Sequence, residues 1–191
     1  MLDNLKKYDV VLASASPRRR ELLAGLGIDF RIEVIKGIKE TYPDALPIDK
    51  IPEYLALLKA NAYQLTPSEL LITADTVVIL NGEVIGKPID EADACAMLRK
   101  LAGNTHTVIT GVTVSTMECR VSFSSRSQVE FAPLTDEEIS YYVSHYHPLD
   151  KAGSYGIQEW IGYAAVKGIT GSFYNVMGLP IQRLYTVLKS F

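Results

Sequence analysis

The run "LLITADTVVIL" at residues 70–80 constrains the fold of this chain more than any other segment. It is almost continuously apolar, as expected of a strand that is buried on both faces of a sheet. Asn81-Gly82 follows it directly, and this pair is the favoured two-residue turn of a β-hairpin. We therefore predict a central strand at 70–80 that turns back into a second strand at 83–85.

Asp75 interrupts this apolar run. A buried carboxylate needs a partner, a bound metal, or a position at the end of a strand that faces a cleft. A paired structural aspartate and a functional carboxylate both meet this need, and Thr76 beside it fits an ordinary strand residue. Lys87 follows the hairpin in "GKP", where the turn can bring it back toward the strand. By itself this tripeptide is typical of an exposed turn.

The rest of the pattern indicates alternating strands and helices. We predict strands at 9–13 and 30–36, and an antiparallel pair near 104–117 and 119–131. Helices are predicted at 17–25 or 17–27, at 51–64, at 90–101, from the capping box at Thr135 to about residue 144, and at 180–189. Residues 37–50 are predicted to be irregular, and residues 145–175 to be strand and loop. Because the sequence has no internal repeat and no linker, we expect a single domain over residues 1–191.

The composition is that of an ordinary folded protein, with 48% hydrophobic and 21% charged residues. No segment approaches the run of about 20 apolar residues that a membrane span requires, and the N-terminus lacks the apolar stretch of a signal peptide. Cys95 and Cys119 have no partners at metal-ligand spacing, and we expect a cytoplasmic protein. The net charge of −3 gives no general attraction to nucleic acid, so a local cluster must capture any anionic partner.

The stretch "LASASPRRRELL" at residues 12–23 is the best candidate for such a cluster. Ser16 is a good N-cap and Pro17 suits the first helical position, so a strand, a short turn and a helix N-terminus follow one another. This arrangement offers backbone N–H groups to an anion. The positive end of the helix dipole opposes the cations Arg18, Arg19 and Arg20. Either these side chains extend into solvent or a bound phosphate offsets the repulsion, and the repeated penalty favours the phosphate site.

Three further features stand out, and the first and the third have two interpretations each. Glu40 lies in the irregular segment as a metal ligand or an exposed loop acid. Lys59 falls at the edge of the apolar face of its helix, where solvent exposure is the ordinary outcome. The turn-rich stretch "LDKAGSYGIQ" at 149–158 forms either a tight structural turn or a site for a flat ligand. In the second case the amide of Gln158 complements the N3–H and O4 edge of a uracil or thymine ring.

In this order, the motifs resemble the Maf family of nucleoside triphosphate pyrophosphatases. The matching pieces are "LASASPRRRELL", "ADTVVILNGEVIGKP", "AMLRKLAGNTHTVITGV", "LDKAGSYGIQ" and "GLPI" at 178–181, which together span nearly the whole chain. The resemblance implies an α/β fold of the Maf and inosine triphosphate pyrophosphatase type, with an elongated mixed β-sheet flanked by helices and two lobes around a cleft. It also implies a homodimer, and hydrolysis of a nucleoside triphosphate to the monophosphate and pyrophosphate with Mg²⁺ or Mn²⁺.

The resemblance also assigns roles to single residues. It implies that Asp75 accepts a proton, and that Arg18, Thr76 and Gln158 govern the choice of substrate. Glu40, Lys59 and Lys87 match the charged residues that line the family's cleft. From these roles we expect Asp75 and Glu40 to hold the metal, and the segment from Ser14 to Arg19 to complete a phosphate cradle with Lys59 and Lys87.

The ending "YGIQ" is similar to the branch of the family that acts on dTTP and UTP. Two alternatives stay open. One is a pyrophosphatase for 7-methyl-GTP or modified nucleotides, and the other is a non-catalytic nucleotide-binding regulator of septum formation. The pair Glu159-Trp160 departs from relatives, which often carry glycine and small residues there. The indole of Trp160 either narrows a base pocket or packs beneath it.

Overall fold

The structure is a computed structural model that describes residues 2–191. Its described residues form one mixed sheet of seven strands, with the order β2-β1-β3-β5-β6-β7 and with β4 paired to β3. The strands are β1 Asp9–Leu12, β2 Arg31–Ile32, β3 Glu69–Leu80, β4 Glu83–Ile85, β5 Thr105–Ser115, β6 Arg120–Phe131 and β7 Val166–Thr170. The predicted α/β class and the central position of the strand at 70–80 are confirmed, since β3 lies inside the sheet.

Helices flank this sheet. They are α1 Pro17–Ala24, α2 Ile51–Ala60, α3 Glu91–Leu101, α4 Asp136–Tyr146, α5 Trp160–Ala164, α6 Phe173–Met177 and α7 Ile181–Leu188. Short 3₁₀ helices occur at Asp3–Lys7, Ile48–Lys50, Pro148–Asp150 and Ala152–Ser154. None of the helices in the described part of the chain has the length and apolar character of a membrane span.

Three predicted boundaries are wrong, each for a local reason. The strand at 30–36 shrinks to the two residues of β2, because the hydroxyl of Tyr63 bonds the backbone of the next residues: it donates to Glu33 O at 2.8 Å and accepts from Ile35 N at 3.1 Å. The helix at 51–64 ends at Ala60, where the chain tightens into a turn. The region 145–175 contains α5 and α6 rather than only strand and loop; both have five residues, too few for a clear helical periodicity.

The chain divides into two compact units. The first comprises Met1–Asp75, Thr110–Ser125 and Gly178–Phe191, and the second comprises Thr76–Ile109 and Arg126–Met177. The boundary between Asp75 and Thr76 falls inside β3, so this strand contributes residues to both units.

Parallel pairing organises the first unit. β1 pairs in parallel with β2 on one side and with β3 on the other, and the register places Leu12 opposite Ile72. The N–H of Ala13 donates to Ile72 O at 2.9 Å. Because the carboxyl ends of parallel strands meet at one edge of a sheet, the turn after β1 lies alongside the part of β3 that contains Asp75.

Helix α2 packs directly on the sheet. A Cβ atom on Gly111 of β5 would lie 2.3 Å from backbone atoms of Pro52 and Glu53, so only glycine permits this approach. The hydroxyl of Thr73 in β3 donates to Ala56 O in α2 at 2.7 Å. The helix is therefore fixed against β3 and β5 one turn before Lys59.

In the second unit, β3 and β4 form the predicted hairpin. Asn81 and Gly82 have φ angles of 50° and 82°, as a type I′ turn requires, and Val78 pairs with Ile85. The predicted capping box of α4 is present, with Thr135 and Glu138 as its reciprocal partners. His106, Phe131 and Tyr155 pack edge to face in the core of this unit.

Candidate active site

Lys59 joins two carboxylates in the first unit. Its Nζ lies 2.6 Å from Asp75 Oδ1 and 2.9 Å from Glu40 Oε2, so one ammonium group contacts both carboxylates. The side chains of Lys59 and Asp75 are only 15% and 12% exposed, whereas that of Glu40 is 49% exposed. The expectation of a solvent-exposed Lys59 is wrong, because α2 turns this edge toward β3.

Burial raises the pKa of Asp75 above its ordinary value. The charge and the hydrogen bond of Lys59 oppose this shift, as does the charge of Arg19, while Glu40 adds to it. The net direction is upward, so the Asp75 carboxylate binds a proton more strongly than an exposed aspartate does.

Arg19 points into the protein rather than into solvent. Its Nε donates to Gly178 O at 2.8 Å, and its Nη1 donates to Ala74 O at 2.9 Å and to Ser14 Oγ at 3.4 Å. Burial lowers the pKa of this guanidinium, and the charges of Asp75, Arg18 and Glu40 act on it as well. The arginine that the helix dipole disfavours is thus held by carbonyl groups, one of which belongs to the residue directly before Asp75.

The turn between β1 and α1 has its own hydrogen bonds. Ser16 caps the helix as predicted, with its Oγ accepting from Arg19 N at 3.5 Å, and Pro17 is the first helical residue. Ser14 is buried, and its hydroxyl also accepts from Ser16 N at 3.3 Å. Arg18 is half-buried and Arg20 is exposed. Phosphate binding by Ser14, Arg18 and Arg19 stays a prediction.

The other candidate residues lie in the second unit. The hairpin pairs Val78 with Ile85, and Lys87 follows Ile85 by two residues. The loop that contains Lys87 also meets the glycine-rich loop, since Gly153 N donates to Gly86 O at 2.9 Å. Thr76 and Lys87 therefore come from adjacent segments, as the hairpin turn predicted.

Gln158 occupies a tight turn. The N–H of Glu159 donates to Gly156 O at 2.9 Å, which makes Ile157 and Gln158 the central residues of a β-turn. The Oε1 atom of Gln158 is buried and has no hydrogen-bond partner within the described chain. A buried amide oxygen without a donor is costly unless a ligand supplies one. The predicted structural turn is present, and base recognition by the Gln158 amide stays a prediction.

Sequence reasoning missed a polar network beneath this turn. The ring of Tyr142 in α4 stacks on that of Tyr146, with the ring centroids 5.1 Å apart. Its hydroxyl also accepts from Gly156 N at 2.9 Å and donates to Glu159. No sequence signal joins α4 to this turn, because the contact depends on how the helix packs. Trp160 packs edge-on against Tyr141 at 5.1 Å.

Comparison with known proteins gives one family. The family described as "Maf-like protein" matches residues 9–191. A dTTP/UTP pyrophosphatase of Phocaeicola vulgatus is 60% identical over 191 residues, which cover 99% of this chain and 99% of that protein. Proteins of the same name from Parabacteroides distasonis and Porphyromonas gingivalis are 58% and 56% identical, covering 100% of this chain and 100% and 98% of their own lengths.

A solved structure of a HAM1 protein from Coxiella burnetii is 17% identical and matches with a TM-score of 0.50, covering 96% of this chain and 100% of that one. At this identity the likeness concerns the fold alone, and it agrees with the mixed sheet described above. Together with the motifs and the long high-identity matches, the match over residues 9–191 shows that this chain belongs to the Maf family.

Proposed function

We propose that this protein is a nucleoside triphosphate pyrophosphatase that hydrolyses dTTP and UTP to the monophosphate and pyrophosphate. Membership of the Maf family and the name shared by relatives at 56–60% identity support this activity. The structural observation that carries the proposal is the single ammonium group of Lys59, which contacts the carboxylates of both Asp75 and Glu40. A homodimer remains a prediction from the family resemblance, and a cytoplasmic location remains a prediction from the sequence.

The residues present fit a divalent cation. Asp75 and Glu40 direct carboxylate oxygens at one positive charge, and such hard oxygen ligands suit Mg²⁺ or Mn²⁺. Within residues 2–191, no group of three or more His, Cys, Asp or Glu side chains offers a complete protein site. Mg²⁺ often takes one or two carboxylates and completes its shell with water and substrate phosphates. We propose Asp75 and Glu40 as its ligands; the ion would stabilise phosphate charge as a Lewis acid.

Asp75 is the proposed general base. Its raised pKa makes it a stronger proton acceptor than an ordinary aspartate, and Lys59 holds one carboxylate oxygen at 2.6 Å. The carboxylate accepts a proton from the water that attacks the α-phosphate. Pyrophosphate then leaves with the charge of the β- and γ-phosphates, which cations must neutralise.

We propose that Arg18, Lys59 and Lys87 supply that positive charge, with the amides of the Ser14–Arg19 turn as further donors. Arg19 has a second part in this scheme. Because its guanidinium binds the carbonyl of Ala74, it orients the backbone that precedes Asp75. We therefore expect Arg19 to position the base as well as to contribute charge.

We propose that Gln158, together with Thr76, recognises the nucleobase of the substrate. Its buried Oε1 lacks a donor in the protein, and the N3–H of uracil or thymine is a donor of the right kind. Cytosine has no hydrogen at N3, so this contact favours uracil and thymine over cytosine. A site that leaves a buried acceptor unpaired rejects the wrong ligand strongly.

The test is a panel of nucleoside triphosphates with Mg²⁺ or Mn²⁺, scored for pyrophosphate release. We expect UTP and dTTP to be the best substrates. Asp75→Asn should fold and bind UTP but lose about 10²–10⁴ of the rate, the usual contribution of a general base. Asp136→Asn is the matched control, since this aspartate is 71% exposed and pairs with Arg99.

Several results would contradict the proposal. Turnover of Asp75→Asn at the wild-type rate would show that Asp75 is not the general base. A preference for 7-methyl-GTP or for modified nucleotides would show that dTTP and UTP are not the preferred substrates. Nucleotide binding without any pyrophosphate release would favour a non-catalytic regulator.

A further inference from the structure

The turn that presents Gln158 is held from below by side chains that the proposed mechanism does not use. Glu159 closes the β-turn through its backbone N–H, and its carboxylate then folds back beneath the turn. Its Oε2 accepts from the hydroxyl of Tyr142, and its Oε1 lies 3.2 Å from Nζ of Lys151. Glu159 is thus tied both to a helix and to the start of the glycine-rich loop.

The hydroxyl of Tyr142 connects the two residues at the ends of the turn, Gly156 and Glu159. It accepts from Gly156 N at 2.9 Å while it donates to Glu159, so one oxygen atom holds both ends of the turn. Tyr142 is fully buried. A hydroxyl held between a donor and a charged acceptor in such surroundings fixes both neighbours in place.

Lys151 balances the charge of the network. Its side chain is 9% exposed, and its ammonium contacts Asp150 Oδ1 at 2.8 Å in addition to Glu159. The space is tight, since a Cβ atom on Gly156 would lie 2.7 Å from the carboxylate carbon of Glu159. In this arrangement both oxygens of the carboxylate have partners, Tyr142 and Lys151.

We propose that Glu159 is a positioning residue that, through Tyr142 and Lys151, sets the direction of the Gln158 amide and thereby the preference for uracil over cytosine. Gln158 lies between the two anchored residues, Gly156 and Glu159. If the anchor is lost, the turn can rotate and Oε1 no longer meets the N3–H of the base. The inference rests on the proposed function, because it concerns the base reader of that reaction.

The test compares kcat/KM for UTP and for CTP in Glu159→Ala, Glu159→Gln and Tyr142→Phe. We expect Glu159→Ala and Tyr142→Phe to reduce the UTP to CTP ratio about tenfold, the loss expected for one neutral hydrogen bond. The effect should be on KM for UTP with kcat unchanged. Glu159→Gln keeps an oxygen acceptor for Tyr142 and should recover most of the ratio.

Two controls separate positioning from general damage. Inhibition by inorganic tripolyphosphate, which has no base, should keep its wild-type Ki in every variant. Glu130→Ala should leave the ratio unchanged, since Glu130 is another lysine-paired glutamate, 49% exposed and bound to Lys167 on β7. In a Gln158→Ala background, Glu159→Ala should cause no further change in the ratio, because it acts through Gln158.

Each other outcome contradicts the inference in a distinct way. A ratio that Glu159→Ala and Tyr142→Phe leave unchanged overturns it while the proposed function stands. A full effect of Glu159→Ala in the Gln158→Ala background shows that Glu159 does not act through Gln158. Wild-type protein that releases no pyrophosphate from UTP overturns the proposed function, and this inference with it.

Discussion

The surroundings of the single residue Lys59 differ from those that its place on the helix predicted. Its place on the helix predicted an exposed lysine, yet its ammonium lies between Asp75 and Glu40. The charge of this ammonium opposes the effect of burial, which raises the pKa of Asp75. The same residue therefore stabilises the acids in the free protein and is available to phosphate in the proposed reaction.

The three consecutive arginines, Arg18, Arg19 and Arg20, also differ from one another in their surroundings. The repeated conflict with the helix dipole indicated a shared cause, but their side chains meet different surroundings. Arg19 is held by the carbonyls of Ala74 and Gly178, whereas Arg20 is exposed. Successive helix residues point about 100° apart, so neighbours in sequence do not share a face.

His106 gives a prediction about pH. It is buried, its Nε2 lies 2.7 Å from the hydroxyl of Tyr155, and burial lowers its pKa from 6.5 to about 4. Between these values the unfolded chain binds a proton that the folded chain does not bind, so stability falls as the pH falls. From pH 7 to pH 5, His106 should account for a loss of about 2 kcal/mol in the free energy of unfolding.

The measurement is denaturant unfolding at both pH values in wild-type protein and His106→Gln. The variant should lose less stability on acidification than the wild type, whatever its stability at pH 7. His145→Gln, at an exposed histidine, should keep the wild-type pH dependence. Equal pH dependence in His106→Gln and wild type would show that His106 is not the titrating group.

The position of helix α2 depends on close contacts with two strands. Its sequence predicted a helix with an apolar face, but its distance from the sheet is set by Gly111, where no side chain intervenes. Thr73 adds a hydrogen bond from β3 to Ala56. Two contacts on neighbouring strands thus determine where Lys59 lies relative to Asp75.

Gly111→Ala tests this placement. The added methyl group would meet the backbone of Pro52 and Glu53 at 2.3 Å, so α2 must move, at a cost of about 1–3 kcal/mol in the free energy of unfolding. Because α2 carries Lys59, we expect kcat/KM for UTP to fall as well. Thermal unfolding and pyrophosphate release measure the two effects.

The matched control is Gly168→Ala, also within a strand. The nearest atom to its Cβ would be Glu130 Oε2 at 3.9 Å, an ordinary contact distance. This variant should keep both stability and activity. Wild-type values in Gly111→Ala would mean that α2 does not depend on this close approach.

The charge of the whole molecule decides which large partners it attracts. A net charge of −3 and an isoelectric point near 5.6 oppose general binding to a polyanion, although the first unit concentrates arginine and lysine around Asp75. A compact triphosphate meets only that cluster, whereas a duplex also meets the acidic remainder.

We therefore expect no saturable binding to duplex DNA at protein concentrations up to about 10⁻⁵ M, even at low salt. Fluorescence anisotropy of a labelled duplex measures this, and excess duplex should leave UTP hydrolysis unchanged. Binding that weakens steeply with salt would instead support the regulatory alternative.

Features with local causes could be predicted from the sequence alone. The hairpin at Asn81-Gly82 follows from residues that tolerate positive φ, and the caps at Ser16 and Thr135 follow from side chains that bond the next turn of their own chain. Continuous apolar character similarly marked β3 as an interior strand, with Asp75 as its exception.

The contacts between distant side chains follow instead from how the elements pack in three dimensions. Lys59 contacts both Asp75 and Glu40, Arg19 turns inward to Gly178, and Tyr142 supports the turn of Gln158. These contacts depend on packing distances between elements far apart in the chain, and no local pattern of residues encodes such distances. Motif order therefore predicted the family, while packing determined what each candidate residue touches.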